Sequence, residues 1–143
     1  MSIISCSRSA EDNQHKEATG TGKDTLQTTT SEAQRFGMVI GLKPDKIEQY
    51  KQLHANAWPG VLEQLNESNI RNYSIFLQKI EGRYYLFSYF EYVGDNYQRD
   101  MKKMAADSVT QEWWKLTDSY QIPLDSRKQG EWWTTMEEVF HHE

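Results

Sequence analysis

Residues 47–59, Ile-Glu-Gln-Tyr-Lys-Gln-Leu-His-Ala-Asn-Ala-Trp-Pro, constrain the fold more tightly than any other stretch of the chain. Tyr50, His54 and Trp58 are spaced four apart, so at helical pitch they share one face. Ile47, Ala57, Val61 and Leu65 continue that stripe, which sets His54 in an apolar seam turned toward the interior. On spacing alone, a core histidine with a satisfied partner and a functional histidine both fit. Pro59 has no amide proton for the carbonyl of Ala55 and pushes Trp58 away from helical angles, so a kink is expected just after the histidine.

A sheet surrounds this helix in the reading of the remaining pattern. Phe36, Met38, Ile40 and Leu42 alternate with Gly37, Val39 and Gly41, the period of a first strand. Its second face carries two glycines, where something bulky can approach closely. Lys43-Pro44-Asp45 then turns the chain into the helix. Residues 70–79 and 84–93 read as second and third strands joined at Glu81-Gly82, an antiparallel hairpin. Tyr73, Ile75 and Leu77 fall on one face of the second strand, and Asn72, Ser74 and Phe76 on the other. Tyr97, Met101 and Met104 predict a helix to about Ala106. Ser108 and Gln111 have the separation of a capping box, with Val109, Trp113, Leu116 and Tyr120 as the inward face of a further helix. Ile122-Pro123 ends that helix, residues 124–130 are loop, and residues 132–141 alternate as a final strand.

This order predicts an α+β fold, a ferredoxin-like antiparallel sheet with helices on one face. The strands are aromatic on both sides, so the open face needs a cover. A second copy supplies it in a symmetric homodimer, a dimeric α/β barrel whose concave interior suits a ligand.

Composition sets the outer limits. Residues 1–34 hold no aromatic side chain and few large aliphatic ones, which cannot offset the entropy of ordering, so they read as a disordered tail or tether ahead of a folded domain at 35–143. A net charge of −5 gives no electrostatic footprint for nucleic acid. The single cysteine, Cys6, excludes an intrachain disulfide, and no Cys/His cluster has zinc spacing; His141 and His142 are adjacent and make poor joint ligands. No apolar run reaches the length of a membrane span, which favours a cytoplasmic protein. Ile3-Ile4-Ser5-Cys6-Ser7 resembles the end of a bacterial lipoprotein signal; a start upstream would make the protein lipid-anchored through Cys6 and periplasmic.

Five motifs appear in order: Tyr50-Lys51-Gln52-Leu53-His54 followed by Trp58-Pro59, then Asn72-Tyr73, Trp113-Trp114, and Glu138-Val139-Phe140. Together, over about residues 35–143, the chain resembles the L-rhamnose mutarotase family. The resemblance implies an isomerase of dimeric ferredoxin-like fold that interconverts the α and β anomers of L-rhamnose without cofactor or metal. It implies that His54 is the proton donor and that Tyr50, Tyr73, Trp113 and Trp114 contact the monosaccharide. Ala55-Asn56-Ala57 and Gly60 depart from the family pattern beside the histidine, which bears on the sugar chosen; L-fucose or another deoxy sugar is the alternative substrate.

The chemistry agrees, because mutarotation needs only proton transfers and an imidazole of ordinary pKa about 6.5 gives and takes protons near neutrality. Aromatic rings offer apolar faces to a deoxy sugar, although paired tryptophans on a helix are as readily core. Trp132-Trp133, a second such pair, is expected in the core or a dimer contact. Glu91, Glu137 and Glu138 are read as solvated edge residues rather than partners of His54. The same architecture also suits a cofactorless monooxygenase or a non-catalytic sugar-binding module.

Overall fold

A computed structural model describes residues 32–143, so Cys6 and all but the last three positions of the proposed leader lie outside the described residues. Strand β1 spans Gln34–Leu42, beginning at the residue that closes the proposed leader, and buries Met38, Ile40 and Leu42 on one face. Strands β2 (Ile70–Ile80) and β3 (Arg83–Tyr92) form the expected hairpin. Glu81 and Gly82 at its tip both have positive φ, 47° and 82°, the twist that a two-residue hairpin turn requires.

A bulge interrupts β2 between Arg71 and Ser74, with Asn72 at φ 50°. Two residues there oppose one on β3, and the extra residue re-aims its neighbours. Tyr73 packs edge-on against Phe90, ring centres 5.7 Å apart, while Asn72 donates to Glu91 at 2.7 Å.

The organising helix departs from the expected kink. α1 (Ile47–Ala55) and α2 (Pro59–Glu67) are two separate helices, because Trp58 is fully extended (ψ 133°) and Pro59 takes the first helical position of α2. A proline is tolerated there and not within a turn, so the chain restarts instead of bending.

α3 spans Tyr97–Ala106 and α4 spans Ser108–Tyr120. The cap of α4 is Asp107, whose carboxylate accepts from the amide of Thr110 at 2.7 Å, rather than the Ser108 capping box. The buried face of α4 is Thr110, Trp113 and Thr117, whereas Val109 is 38% exposed. Two buried threonines shift the face that the apolar residues alone suggest.

β4 (Gln121–Ile122) and β5 (Thr134–Met136) both pair with the free edge of β1, at Gly41–Leu42 and at Gly37–Val39. The final strand is thus three residues long, not the ten expected, and residues 137–143 have no regular structure. β1 has one edge to offer and β4 already occupies part of it. The close approach anticipated at Gly41 is made by β4, since a Cβ there would lie 2.8 Å from the Ile122 carbonyl oxygen. All pairings are antiparallel, in the order β2-β3-β1-β4 with β5 also on β1, which is the expected ferredoxin-like sheet.

The helices cover the face bearing Met38, Ile40, Leu42, Leu86 and Phe90. The opposite face is open: Phe76 is 62% exposed and Ile122 47%. At one end of the core, Asp100 in the first turn of α3 is buried and saturated. It accepts from the Tyr92 hydroxyl (2.7 Å), the Asn69 amide (2.9 Å) and Arg99 Nε (3.0 Å). The Tyr92 hydrogen bond, then Arg99, holds this carboxyl down at about 2. Among the described residues no helix is long and apolar enough to cross a membrane.

Candidate active site

A cavity of about 800 Å³ lies between the inner face of the sheet and helices α1, α2 and α4. The apolar stripe of α1 and α2 becomes its wall: Ile47, Tyr50, His54, Ala57, Val61 and Leu65 all line it. The cavity is formed by one chain on its helix-covered face, not in the concave interior expected between two sheets. The five residues proposed from the sequence, Tyr50, His54, Tyr73, Trp113 and Trp114, all line this cavity.

His54 is held from three directions. Its Nδ1 lies 2.9 Å from the carbonyl oxygen of Tyr50, one helical turn back. A carbonyl can only accept, so Nδ1 carries the proton and Nε2 presents a lone pair in the neutral ring. The ring stacks on Tyr50 (4.1 Å between centres, 27° between planes) and meets Trp113 edge-on at 5.1 Å. Trp58, extended at the helix break, packs edge-on against the same Trp113 at 5.3 Å. Burial lowers the His54 pKa from its ordinary 6.5, and the bond to Tyr50 only partly opposes this. The resting imidazole is therefore neutral at pH 7.

The two tyrosines remain protonated. Tyr50 is buried, which drives its hydroxyl well above the ordinary phenol range; the neighbouring Tyr73 adds to the rise and a hydrogen bond with Gln121 opposes it. Tyr73 as a residue is 42% exposed, yet its hydroxyl end is enclosed by protein and desolvation pushes it up to about 12. The cavity thus offers the neutral imidazole of His54 as a proton acceptor, with the Asp118 carboxylate also in its lining, beside phenols that can only donate or accept hydrogen bonds near neutrality.

Further wall residues are not marked by the sequence as part of a site. Gln121, at the junction of α4 and β4, and Trp132 both line the cavity, and Trp132 Nε1 donates to Gln121 Oε1 at 2.8 Å. Thr110 lines it with a buried hydroxyl that has no protein partner. Polar residues at the end and on the inner face of a helix look like solvent positions in a sequence, which is why they were passed over. Trp132 and Trp133 do pack against the core, as anticipated, but they also wall the cavity.

The carboxylates read as edge residues stay away from His54. Glu91 accepts from Asn72 and from the Tyr89 hydroxyl (2.8 Å), and Glu138 pairs with Arg35 at 2.8 and 3.1 Å. Among the described residues no group of three His, Cys, Asp or Glu side chains is placed to hold a metal ion.

Comparison with known proteins converges on one chemistry. The family model for L-rhamnose mutarotase matches residues 35–142. The L-rhamnose mutarotase of Oceanobacillus iheyensis is 34% identical over 113 residues, covering 75% of this chain and 96% of that protein. Those of Lactiplantibacillus plantarum and Bacillus subtilis are 36% identical over 109 residues (75% and 96% covered) and 40% over 81 residues (57% and 73% covered). The crystal structure of an L-rhamnose mutarotase from Formosa agariphila superposes with a TM-score of 0.57 at 22% identity, covering 77% of this chain and 99% of that one, a likeness of fold.

Proposed function

This chain belongs to the L-rhamnose mutarotase family, an isomerase acting on the anomeric carbon of L-rhamnose, and we propose that His54 is the group that moves the proton. The observation that carries this reading is the occupied Nδ1 of His54, which leaves Nε2 as the one basic atom it can turn on a sugar. Ring opening requires the anomeric hydroxyl to lose a proton while the ring oxygen gains one. The two oxygens share one carbon, so Nε2 can take the proton from the hydroxyl and deliver it to the ring oxygen as the C1–O5 bond breaks. The aldehyde then turns about the C1–C2 bond. On closure the sequence reverses: Nε2 takes the proton of the C5 hydroxyl and gives it to the new anomeric oxygen. His54 begins and ends neutral, in keeping with its lowered pKa, and acts as a proton donor once in each half.

Tyr50 and Tyr73 hydrogen bond the sugar, and Trp113 and Trp114 offer flat apolar faces to its C–H bonds and methyl group. A substrate made of hydroxyls and one methyl suits a wall that is aromatic with a few polar atoms. Family membership favours this isomerase over the monooxygenase and the binding module. The test is anomer exchange in L-rhamnose followed by NMR magnetisation transfer, with L-fucose as comparator. Exchange no faster with protein than in buffer would remove the proposal.

We also propose that the protein is a homodimer closed across the open face of the sheet. Phe76 and Ile122 expose apolar area there that a monomer rarely leaves uncovered. A monomeric mass in sedimentation at micromolar concentration would contradict it.

A further inference from the structure

We propose that Thr110 is a specificity-determining residue, whose buried hydroxyl takes up a non-reacting hydroxyl of the sugar at the end of the cavity where α2 meets α4. The inference rests on the reading of the cavity as the sugar site. Among the described residues, the buried side-chain hydroxyls of Ser88, Thr110 and Thr134 have no protein partner, and of these three only Thr110 lines the cavity. The residue is 3% exposed. Thr117, on the same face of α4 two turns on, shows how a helix satisfies such a group: its hydroxyl donates to the carbonyl oxygen of Trp114 at 3.2 Å. Thr110 lies in the first turn, where its amide donates to the Asp107 cap and its hydroxyl makes no such bond.

A buried hydroxyl left unpaired costs stability, and a methyl in its place does not. A wall built only for packing is served by valine, as it is at Val61. Position agrees with the assignment. The two helices close on each other here, since a Cβ on Gly60 would meet Val109 Cγ1 at 3.1 Å, and the next residue of each helix, Val61 and Thr110, lines the cavity. Thr110 is one turn, about 4.5 Å along the helix axis, before Trp113, whose ring meets His54 edge-on. A pyranose with its anomeric carbon at His54 then extends past Trp113 to Thr110.

The oxygen is covered, but threonine in a helix divides between two χ1 rotamers, so it can turn without moving the backbone. A hydroxyl both donates and accepts, which suits it to a sugar hydroxyl that does the same. Because that sugar hydroxyl does not react, the contact tightens binding without lowering the barrier.

The experiment compares Thr110→Val, which replaces the hydroxyl with a methyl at nearly constant volume, with Thr110→Ser, which keeps it. Thr110→Val should raise the L-rhamnose concentration that half-saturates anomer exchange by about threefold to tenfold, the worth of one neutral hydrogen bond, and leave the saturated rate within twofold. Its melting temperature without sugar should equal or exceed that of the parent, because an unpaired buried hydroxyl has gone. Thr110→Ser should keep the parent's half-saturation. Analogues of L-rhamnose lacking the hydroxyl at C2, C3 or C4 identify the partner: one of them should bind the parent more weakly by the same factor, and Thr110→Val should not discriminate against it. Half-saturation within twofold of the parent, a serine variant as impaired as the valine one, or no coupling to any of the three analogues overturns the proposal. So does a valine variant that melts lower or does not fold, which shows a hydroxyl spent within the fold. A parent that binds L-rhamnose without accelerating exchange defeats the isomerase reading instead, and Thr110 is then judged by the same criteria on affinity read from tryptophan fluorescence. A parent that binds none of these sugars overturns both.

Discussion

His54 and Asp100 meet burial in opposite ways. Asp100 is 2% exposed and takes hydrogen bonds from Tyr92, Asn69 and Arg99, so its charge is fully compensated and its pKa is held down at about 2. His54 donates one bond, to a backbone carbonyl, and desolvation moves its pKa the other way relative to its charge, favouring the neutral form. The carboxylate ties Asn69, the end of β3 and the start of α3 together, and has nothing left to offer a ligand. The histidine is fixed in place by stacking yet keeps a reactive atom unspent. Burial with saturation makes structure; burial with one valence withheld makes a site.

The contrast is sharpest in what deletion does. His54→Ala should lower exchange by ~10²–10⁴, about 2.7–5.5 kcal/mol of barrier, while thermal unfolding and sugar binding persist. Circular dichroism melts alongside NMR exchange decide it; a loss under tenfold would return His54 to the role of a packed core histidine. Asp100→Ala should reverse the pattern. It strands three donors, costs about 2–4 kcal/mol of stability in denaturant titration, and leaves exchange per folded molecule unchanged. A large drop in the rate of folded Asp100→Ala would break the distinction.

Acid should separate the two centres in sequence. The lowered pKa of His54 means that the folded chain binds fewer protons than the unfolded one below pH 6.5, so its contribution to stability is present above that value and fades as pH falls. Activity should rise with pH along a limb whose midpoint is below 6.5. Asp100 is also lowered, from 3.8 to about 2, so its contribution is present above pH 3.8 and is lost as pH falls toward 2. The expected order on acidification is activity first and fold second, measured by exchange rate and circular dichroism on one series of buffers. Simultaneous loss would mean that the two centres are coupled.

The smallest expected effect lies outside both. A chain lacking residues 1–31 should match the parent in melting temperature and exchange rate, because that segment lacks the apolar groups to join a core. A shift in either would show that the leader contributes to one of them.

The sequence was legible where periodicity and chemistry coincide. The fourfold spacing of Tyr50 and His54 could be read because a titratable ring on an apolar stripe contradicts its surroundings. The sheet order followed from alternation in β1, β2 and β3. What stayed hidden was set by polar residues doing buried work. Thr110 and Thr117 face inward on α4, and Gln121 ends that helix inside the cavity, with nothing in their side chains to mark them as interior. Asp107 displaced Ser108 as the cap because the two are adjacent and both can serve. β5 is short because the pairing edge of β1 is shared with β4, a competition visible only in three dimensions.

The tautomer of His54 is set by a main-chain oxygen, and every amino acid carries one. Substitution at position 50 can alter the phenol without touching the carbonyl that holds Nδ1. On the proposed roles of these two residues, the chain can vary the contact to the sugar at position 50 while Nε2 of His54 keeps its lone pair, provided α1 stays wound. Mutational drift and laboratory evolution toward other pyranoses are accordingly expected to pass through Tyr50 more freely than through any residue that would unwind this helical turn.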